Sequence, residues 1–391
     1  MKKEVESKLN DIGEVLLKAN INKCGLEGNL GMAFFLLFFS NLNNDERYYD
    51  KSIELIESEL SYYSNHFENL TFWTGIASLG WFCNAIIKKH VDSEYDANFN
   101  AINGVLEKYM LNNYNCGLYY YDYLHGGLGI GHHFLLESKK SSIVSLVEKI
   151  HDSAIEDYQT KGKKWRTITG YQSEQWDYNI SISHGMSSIV IMLSKILQKE
   201  IEHKKCAELI EGAVNYILAQ KLPKGNYNSI FGNYALESME EPYSSRLAWC
   251  YGDLGIAVAL WRASKALCRK DWEDEAKAIL RHASQRRDLK ENAVIDACFC
   301  HGTSGIAHVF NRMWRETGMP ECRDAAEYWI NQTLSMARFE DGLAGYKTWQ
   351  GDKRGFQNEY GLLEGIAGIG LALLSFLSDE DPTWDECLLL S

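Results

Sequence analysis

A chain of 391 residues, 46% of them hydrophobic and 12% aromatic, can bury a large core, as one large domain or two to three ordinary ones. Its 40 basic and 53 acidic residues give a net charge of −13, and no basic stripe reverses this locally, which argues against nucleic acid as a partner. Only four prolines occur, which favours long helices over a sandwich or a loop-rich fold.

The opening Met1-Lys2-Lys3-Glu4-Val5-Glu6 lacks the apolar core of a signal peptide, so a cytosolic protein is expected. In that compartment the ten cysteines read as metal ligands or buried thiols rather than a disulfide framework. The longest apolar run, Leu30 to Phe39, is too short for a bilayer and reads as a buried helix.

That run opens a repeat. Gly28-Asn29-Leu30-Gly31 is followed by Gly75-Ile76-Ala77-Ser78, Gly126-Gly127-Leu128-Gly129, Gly185-Met186-Ser187-Ser188, Gly252-Asp253-Leu254-Gly255, Gly302-Thr303-Ser304-Gly305 and Gly365-Ile366-Ala367-Gly368. The lead glycines stand 47, 51, 59, 67, 50 and 63 residues apart. Each precedes a stretch that is apolar nearly all round, as a helix buried on both sides requires. Between them lie amphipathic segments: Lys51 to Tyr63, Ala101 to Leu111, Ile143 to Tyr158, Cys206 to Leu222 and Arg323 to Ala337. Seven buried helices alternating with seven polar-outside ones predict an all-α protein of fourteen helices. A closed double ring, an α/α toroid of seven inner and seven outer helices forming one domain over 1–391, is the simplest architecture. An open solenoid is the alternative, and it would need polar capping repeats. Glycine costs about 1 kcal/mol in a helix interior, so its recurrence at one phase implies close backbone approach at the helix starts.

Phase gathers the chemistry at one end. Asp122 precedes its lead glycine by four residues, His125, His184 and His301 precede theirs by one, and Cys250 and Cys300 by two. Inner-helix N-termini collected there would favour a bound anion. Polar connections at 159–183, 223–245 and 340–360 are expected to roof the site. Cys250, Cys300 and His301 are three ligands that suit Zn²⁺ and leave its fourth position open, the catalytic pattern. Cys298 as a fourth ligand would close the site and make it structural. His184 is a candidate general acid or base, and Asp122 a carboxylate to orient it, against the alternative that each caps a helix. His125 is expected to line the pocket, and His132, His133 and His308 to pack within helices. Arg246 either holds an anionic group near the metal or pairs with an acid in the roof loops. Cys24, Cys83, Cys116, Cys206, Cys268, Cys322 and Cys387 read as scattered thiols.

The seven glycine-led repeats, Trp249-Cys250-Tyr251-Gly252, Cys300-His301-Gly302, Ser183-His184-Gly185 and Asp122 together resemble the lanthionine synthetase C-like cyclases, over Gly28 to Leu377. The likeness is to the free-standing class I lantibiotic form rather than to a domain fused to a dehydratase. Ser78 and Ser188 depart from the glycine pattern but are still small. The resemblance implies an α/α toroid and one zinc held by Cys250, Cys300 and His301. It also implies catalytic roles for His184, Asp122 and Arg246, with Tyr251 lining the site. The implied activity is thioether ring closure, in which a peptide cysteine adds to dehydroalanine or dehydrobutyrine. The implied substrate is a dehydrated lantibiotic precursor with its leader, and the implied partners are a dehydratase and a membrane ABC exporter at the inner face of the cell membrane. A protein prenyltransferase-like thiol alkylation and a non-catalytic zinc or peptide scaffold are the rival readings.

Overall fold

The computed structural model describes residues 1–66, 68–87, 96–112, 121–137, 139–170 and 175–391. Among these, fourteen α-helices alternate between two kinds. Seven are buried nearly all round: α2 (Asn29–Asn43), α4 (Ile76–Phe82), α6 (Gly127–Leu136), α8 (Met186–Gln198), α10 (Asp253–Ala266), α12 (Thr303–Thr317) and α14 (Ile366–Leu377). Seven alternate with them: α1 (Lys2–Leu17), α3 (Glu46–Tyr63), α5 (Asp96–Asn112), α7 (Lys140–Asp152), α9 (His203–Ala219), α11 (Lys270–Ala283) and α13 (Pro320–Ser335). The second kind is amphipathic for a plain reason. In α11 the buried residues are Trp272, Ala276, Ile279, Leu280 and Ala283, one face at helical spacing, with Lys and Glu between them. In α2 the sequence FFLLFF leaves no polar face to expose.

The chain forms two compact units. The first takes 1–68 and 284–391; in it α14 packs on both α12 and α2, while α1, α3 and α13 cover them. The second takes 69–283; in it α4, α6, α8 and α10 pack in succession, and α5, α7, α9 and α11 cover them one for one. A single π-turn, Cys83–Ile87, continues α4.

The connections hold the only strands among the described residues, three antiparallel pairs: β1 (Ile155–Asp157) with β2 (Gly162–Lys164), β3 (Thr167–Gly170) with β4 (Gln175–Asp177), and β5 (Thr348–Trp349) with β6 (Phe356–Gln357). The helix expected over Ile143 to Tyr158 therefore ends at Asp152. At that end the Ser153 hydroxyl donates to the Lys149 and Ile150 carbonyls, and beyond it Asp157 shapes the hairpin turn, its Oδ1 accepting the amides of Gln159 and Thr160 while Lys161 is left-handed at φ 53°. Cys116 lies outside the described residues. His132, His133 and His308 are buried packing residues, bonded through Nδ1 to the Tyr123 hydroxyl, through Nε2 to Asn103 Oδ1, and through Nε2 to Asp385.

Candidate active site

The turns before α4, α6, α8 and α12 draw on a small set of bonds, and that set explains where their side chains stand. Six residues before the lead glycine, Asn69, Asn179 and Asp296 each turn Oδ1 back onto the amide two residues on, that of Thr71, Ser181 and Cys298. Their backbone carbonyls then accept the first helical amides, those of Ile76, Met186 and Thr303. Four residues before the glycine, Thr71, Asp122 and Ser181 use a side-chain oxygen to accept the amide three residues on, from Thr74, His125 and His184. Cys298 holds that position in its own turn, with its thiol against the His301 amide. The chain passes so close to itself that a Cβ on Gly302 would overlap the Asp296 carbonyl, and one on Gly305 the Phe299 carbonyl. Of the lead glycines, Gly252 alone is left-handed, at φ 83°.

These turns bear on the expectation of anion binding at the helix starts. The first amides of α4, α8, α12 and α14 are spent on the carbonyls of Asn69, Asn179, Asp296 and Glu359. The first amide of each of these helices is therefore not open to an incoming anion, on which the helix dipole still acts.

Within the unit 69–283, Asp122, His184, Cys250 and Tyr251 come together. Asp122, buried, gives one oxygen to the His125 amide at 2.8 Å and the other to His184 Nδ1 at 2.7 Å. Burial pushes the Asp122 carboxyl up, but the His184 imidazole outweighs it and the net shift is downward. Burial likewise pushes the His184 imidazole down, and the Asp122 charge overcomes it, so the net shift is upward. The Cys250 thiol adds to that rise, and the Cys250 carbonyl accepts the Ser183 hydroxyl at 3.1 Å. His125 stacks on His184 with ring centroids 5.7 Å apart, and burial lowers its pKa, which favours the neutral ring. Tyr251 lies 6.5 Å from His184 and 6.0 Å from Tyr234, ring to ring, and its hydroxyl accepts from Asn179 Nδ2 at 3.4 Å. Burial, then Tyr234, holds the Tyr251 phenol above its ordinary value, so it stays protonated. Arg246 is half-buried and pairs with no carboxylate among the described residues, so the salt bridge considered for it in the roof loops is not formed there. Asn179 and Tyr234, which a β-bridge joins, carry the 223–245 connection onto Tyr251.

Within the unit of 1–68 and 284–391, the half-buried Cys300 and His301 stand on the turn into α12, where the Cys300 amide donates to the Leu363 carbonyl at 2.8 Å. Asp296, Cys298 and His301 offer ligand atoms that all lie within 4.8 Å of one another. The connection 340–360 reaches this turn, since the Trp349 amide donates to Asp296 Oδ2 at 2.7 Å and the Thr348 hydroxyl bonds the Glu364 carbonyl.

A family model described as "Lanthionine synthetase C-like protein" matches residues 25–389. The chain belongs to the lanthionine synthetase C-like family. Its backbone superposes on the solved structure of nisin cyclase with a TM-score of 0.77 at 21% identity, covering 100% of this chain and 97% of that one. That likeness establishes the α/α-toroid fold. A curated relative, "Glutathione S-transferase LANCL1" of Danio rerio, is 26% identical over 153 residues, 39% of this chain and 34% of the relative. The chain thus matches about a third of that relative's length.

Cys250 in one unit, and Cys300 and His301 in the other, are donors of the types that suit zinc, soft sulfur and a borderline imidazole. The group of Asp296, Cys298 and His301 fits less well. Its thiol is wholly buried, and burial together with Asp296 raises its pKa well above the ordinary value, which opposes the thiolate. Both Asp296 oxygens already accept backbone amides. Asp296 was not legible as a site residue, although its place six residues before Gly302, where the Gly28, Gly75 and Gly185 turns use Asn, was a signal available in the sequence.

Proposed function

We propose that this lanthionine synthetase C-like chain is a zinc-dependent peptide cyclase, closing lanthionine and methyllanthionine thioether rings in a dehydrated lantibiotic precursor. The observation that carries the reading is the 2.7 Å Asp122–His184 pair in the same turn system as Cys250, in a chain whose family match is nearly complete. Cys250, Cys300 and His301 would hold zinc, whose Lewis acidity lowers the pKa of a thiol when the metal is present.

The chain's own residues supply the rest. The substrate S–H bond breaks and a C–S bond forms at the β-carbon, while the alkene electron pair moves toward the neighbouring carbonyl as an enolate. A proton then reaches the α-carbon. Asp122 fixes His184 with its Nδ1 occupied, which leaves Nε2 to carry the exchangeable proton. Protonated Tyr251 donates toward developing negative charge, and Arg246 supplies a cation without a carboxylate partner. The substrate keeps its leader, with a dehydratase acting before and an ABC exporter after. No helix among the described residues is long and apolar enough to cross a membrane, and we place the activity in the cytoplasm.

Glutathione as the thiol is a second reading, suggested by the printed name of the zebrafish relative. One experiment separates the two. Ring closure changes no mass, so dehydrated precursor is incubated with zinc-loaded protein in the presence of glutathione and then treated with a thiol alkylator. Loss of alkylation without added mass supports the cyclase, whereas addition of glutathione to the dehydro residues in its place overturns it.

A further inference from the structure

We propose that Asp296 is the positioning residue of His301: its nearby charge favours the proton on His301 Nε2 and so presents Nδ1 as the metal-binding nitrogen. This inference rests on the zinc reading given above.

The internal repeat is the control. In the turns led by Gly75 and Gly185, the residue six places before the glycine is Asn69 or Asn179, and a neutral amide oxygen suffices to accept the amide two residues on. Asp296 does the same work with Oδ1, at 2.9 Å from the Cys298 amide. The turn therefore does not need a carboxylate. What aspartate adds is a second acceptor oxygen. That Oδ2 takes the Trp349 amide at 2.7 Å and lies 3.8 Å from His301 Nε2, nearer than a screened charge pair though longer than a hydrogen bond. Asp296 is buried and the His301 side chain is only 17% exposed, so the charge acts with little water between them.

The same substitution occurs once more in this protein. At the position four before the glycine, Thr71 and Ser181 make their turns with a single hydroxyl oxygen. Asp122 makes that turn with one oxygen and spends the other on His184 Nδ1. In each unit, then, a carboxylate makes the turn with one oxygen and has its second toward a histidine, bonded to His184 in one case and 3.8 Å from His301, shared with the Trp349 amide, in the other. A carboxylate on the outer nitrogen of a ligating imidazole sets its tautomer and raises its donor strength. Trp349 on β5 shares the oxygen, which ties the 340–360 connection to the same carboxylate.

The test uses the full chain loaded with zinc. Histidine ¹⁵N spectra, assigned through His301→Asn, should show His301 with Nδ1 bound to metal and Nε2 protonated. Asp296→Asn should weaken zinc in competition with a chromophoric chelator by about 10- to 100-fold, while the zinc-free variant melts close to the zinc-free wild type. Asp296→Ala, which also loses the turn, should lower both. Binding through Nε2, or unchanged zinc affinity in Asp296→Asn, overturns the inference alone. So does an Asp296→Asn melt as low as that of Asp296→Ala, which would make the residue structural. A wild type that holds no zinc overturns the inference and the zinc reading together.

Discussion

The Asp122–His184 pair ties pH to both stability and turnover. The His184 pKa is raised, so its contribution is complete below the ordinary imidazole value of 6.5 and fades as pH climbs through the raised one. The Asp122 pKa is lowered, so its contribution is complete above 3.8 and fades as pH falls through the lowered one. The pair therefore stabilises the fold most between those two ordinary values. Melting temperature against pH should show that plateau in the wild type, and Asp122→Asn should flatten it; an unchanged profile would remove the pair as a stabilising element. Asp122→Asn also leaves burial at His184 opposed by Cys250 and no longer by a carboxylate, which pulls its pKa down. If His184 delivers the proton, the alkaline limb of the rate profile moves to lower pH in that variant. His184→Asn should slow ring closure by about 10²- to 10⁴-fold, the usual value of a positioned acid, and keep its zinc. Loss of zinc in His184→Asn would show the histidine to be a ligand.

Elements in this fold are joined by turns that leave no spare volume and by buried polar clasps. The Gly305 position sits against the Phe299 carbonyl, so Gly305→Ala must push apart the turn that carries Cys300 and His301. About 1–3 kcal/mol of stability should be lost, as for other overpacked cores, read by urea unfolding and accompanied by weaker zinc retention. At the other end of α12 a clasp closes on the C-terminal segment. Asp385, wholly buried, accepts from His308 Nε2 and Arg312 Nε at Oδ2 and from Arg312 Nη2 at Oδ1, each at 2.8 Å. Trp384 beside it donates to Ser375 of α14. Asp385→Asn removes the buried charge partner of Arg312, leaving it Asp381 and Glu316 at Nη1, and should cost up to about 3–5 kcal/mol. A loss below about 1 kcal/mol, the range of an exposed pair, would show that water reaches the clasp.

Over the whole molecule, the family match runs without interruption through both compact units, from residue 25 to 389. Seven alternations of buried and amphipathic helix spread stability over many similar interfaces, so the site chemistry is carried by turns while the helices supply packing. Metal removal should therefore leave a folded protein. A chelator is expected to lower the melting temperature by the binding linkage alone, with recovery on adding zinc and no response in Cys250→Ala. Complete unfolding on chelation would instead make the metal structural, and an unchanged response in Cys250→Ala would remove that ligand.

Helical class, repeat number, and the phase that brings His184, Cys250, Cys300 and His301 to helix starts were all determined by the sequence. Each of these depends on local periodicity, or on a glycine whose missing side chain a nearby carbonyl requires. The protonation partners were decided by tertiary structure. Asp122 and His184 are 62 residues apart, and Asp296 and Trp349 are 53 apart, and no spacing rule tells which carboxylate oxygen will be left over once a turn is satisfied. The hairpin over 155–164 was hidden for a similar reason. A helix pattern ran on through the segment, whereas the chain leaves the helix at Asp152 and an Asp side chain bonding its own backbone then turns the hairpin. Patterns along a chain record which face is buried; which polar atoms find each other is settled only when the turns close.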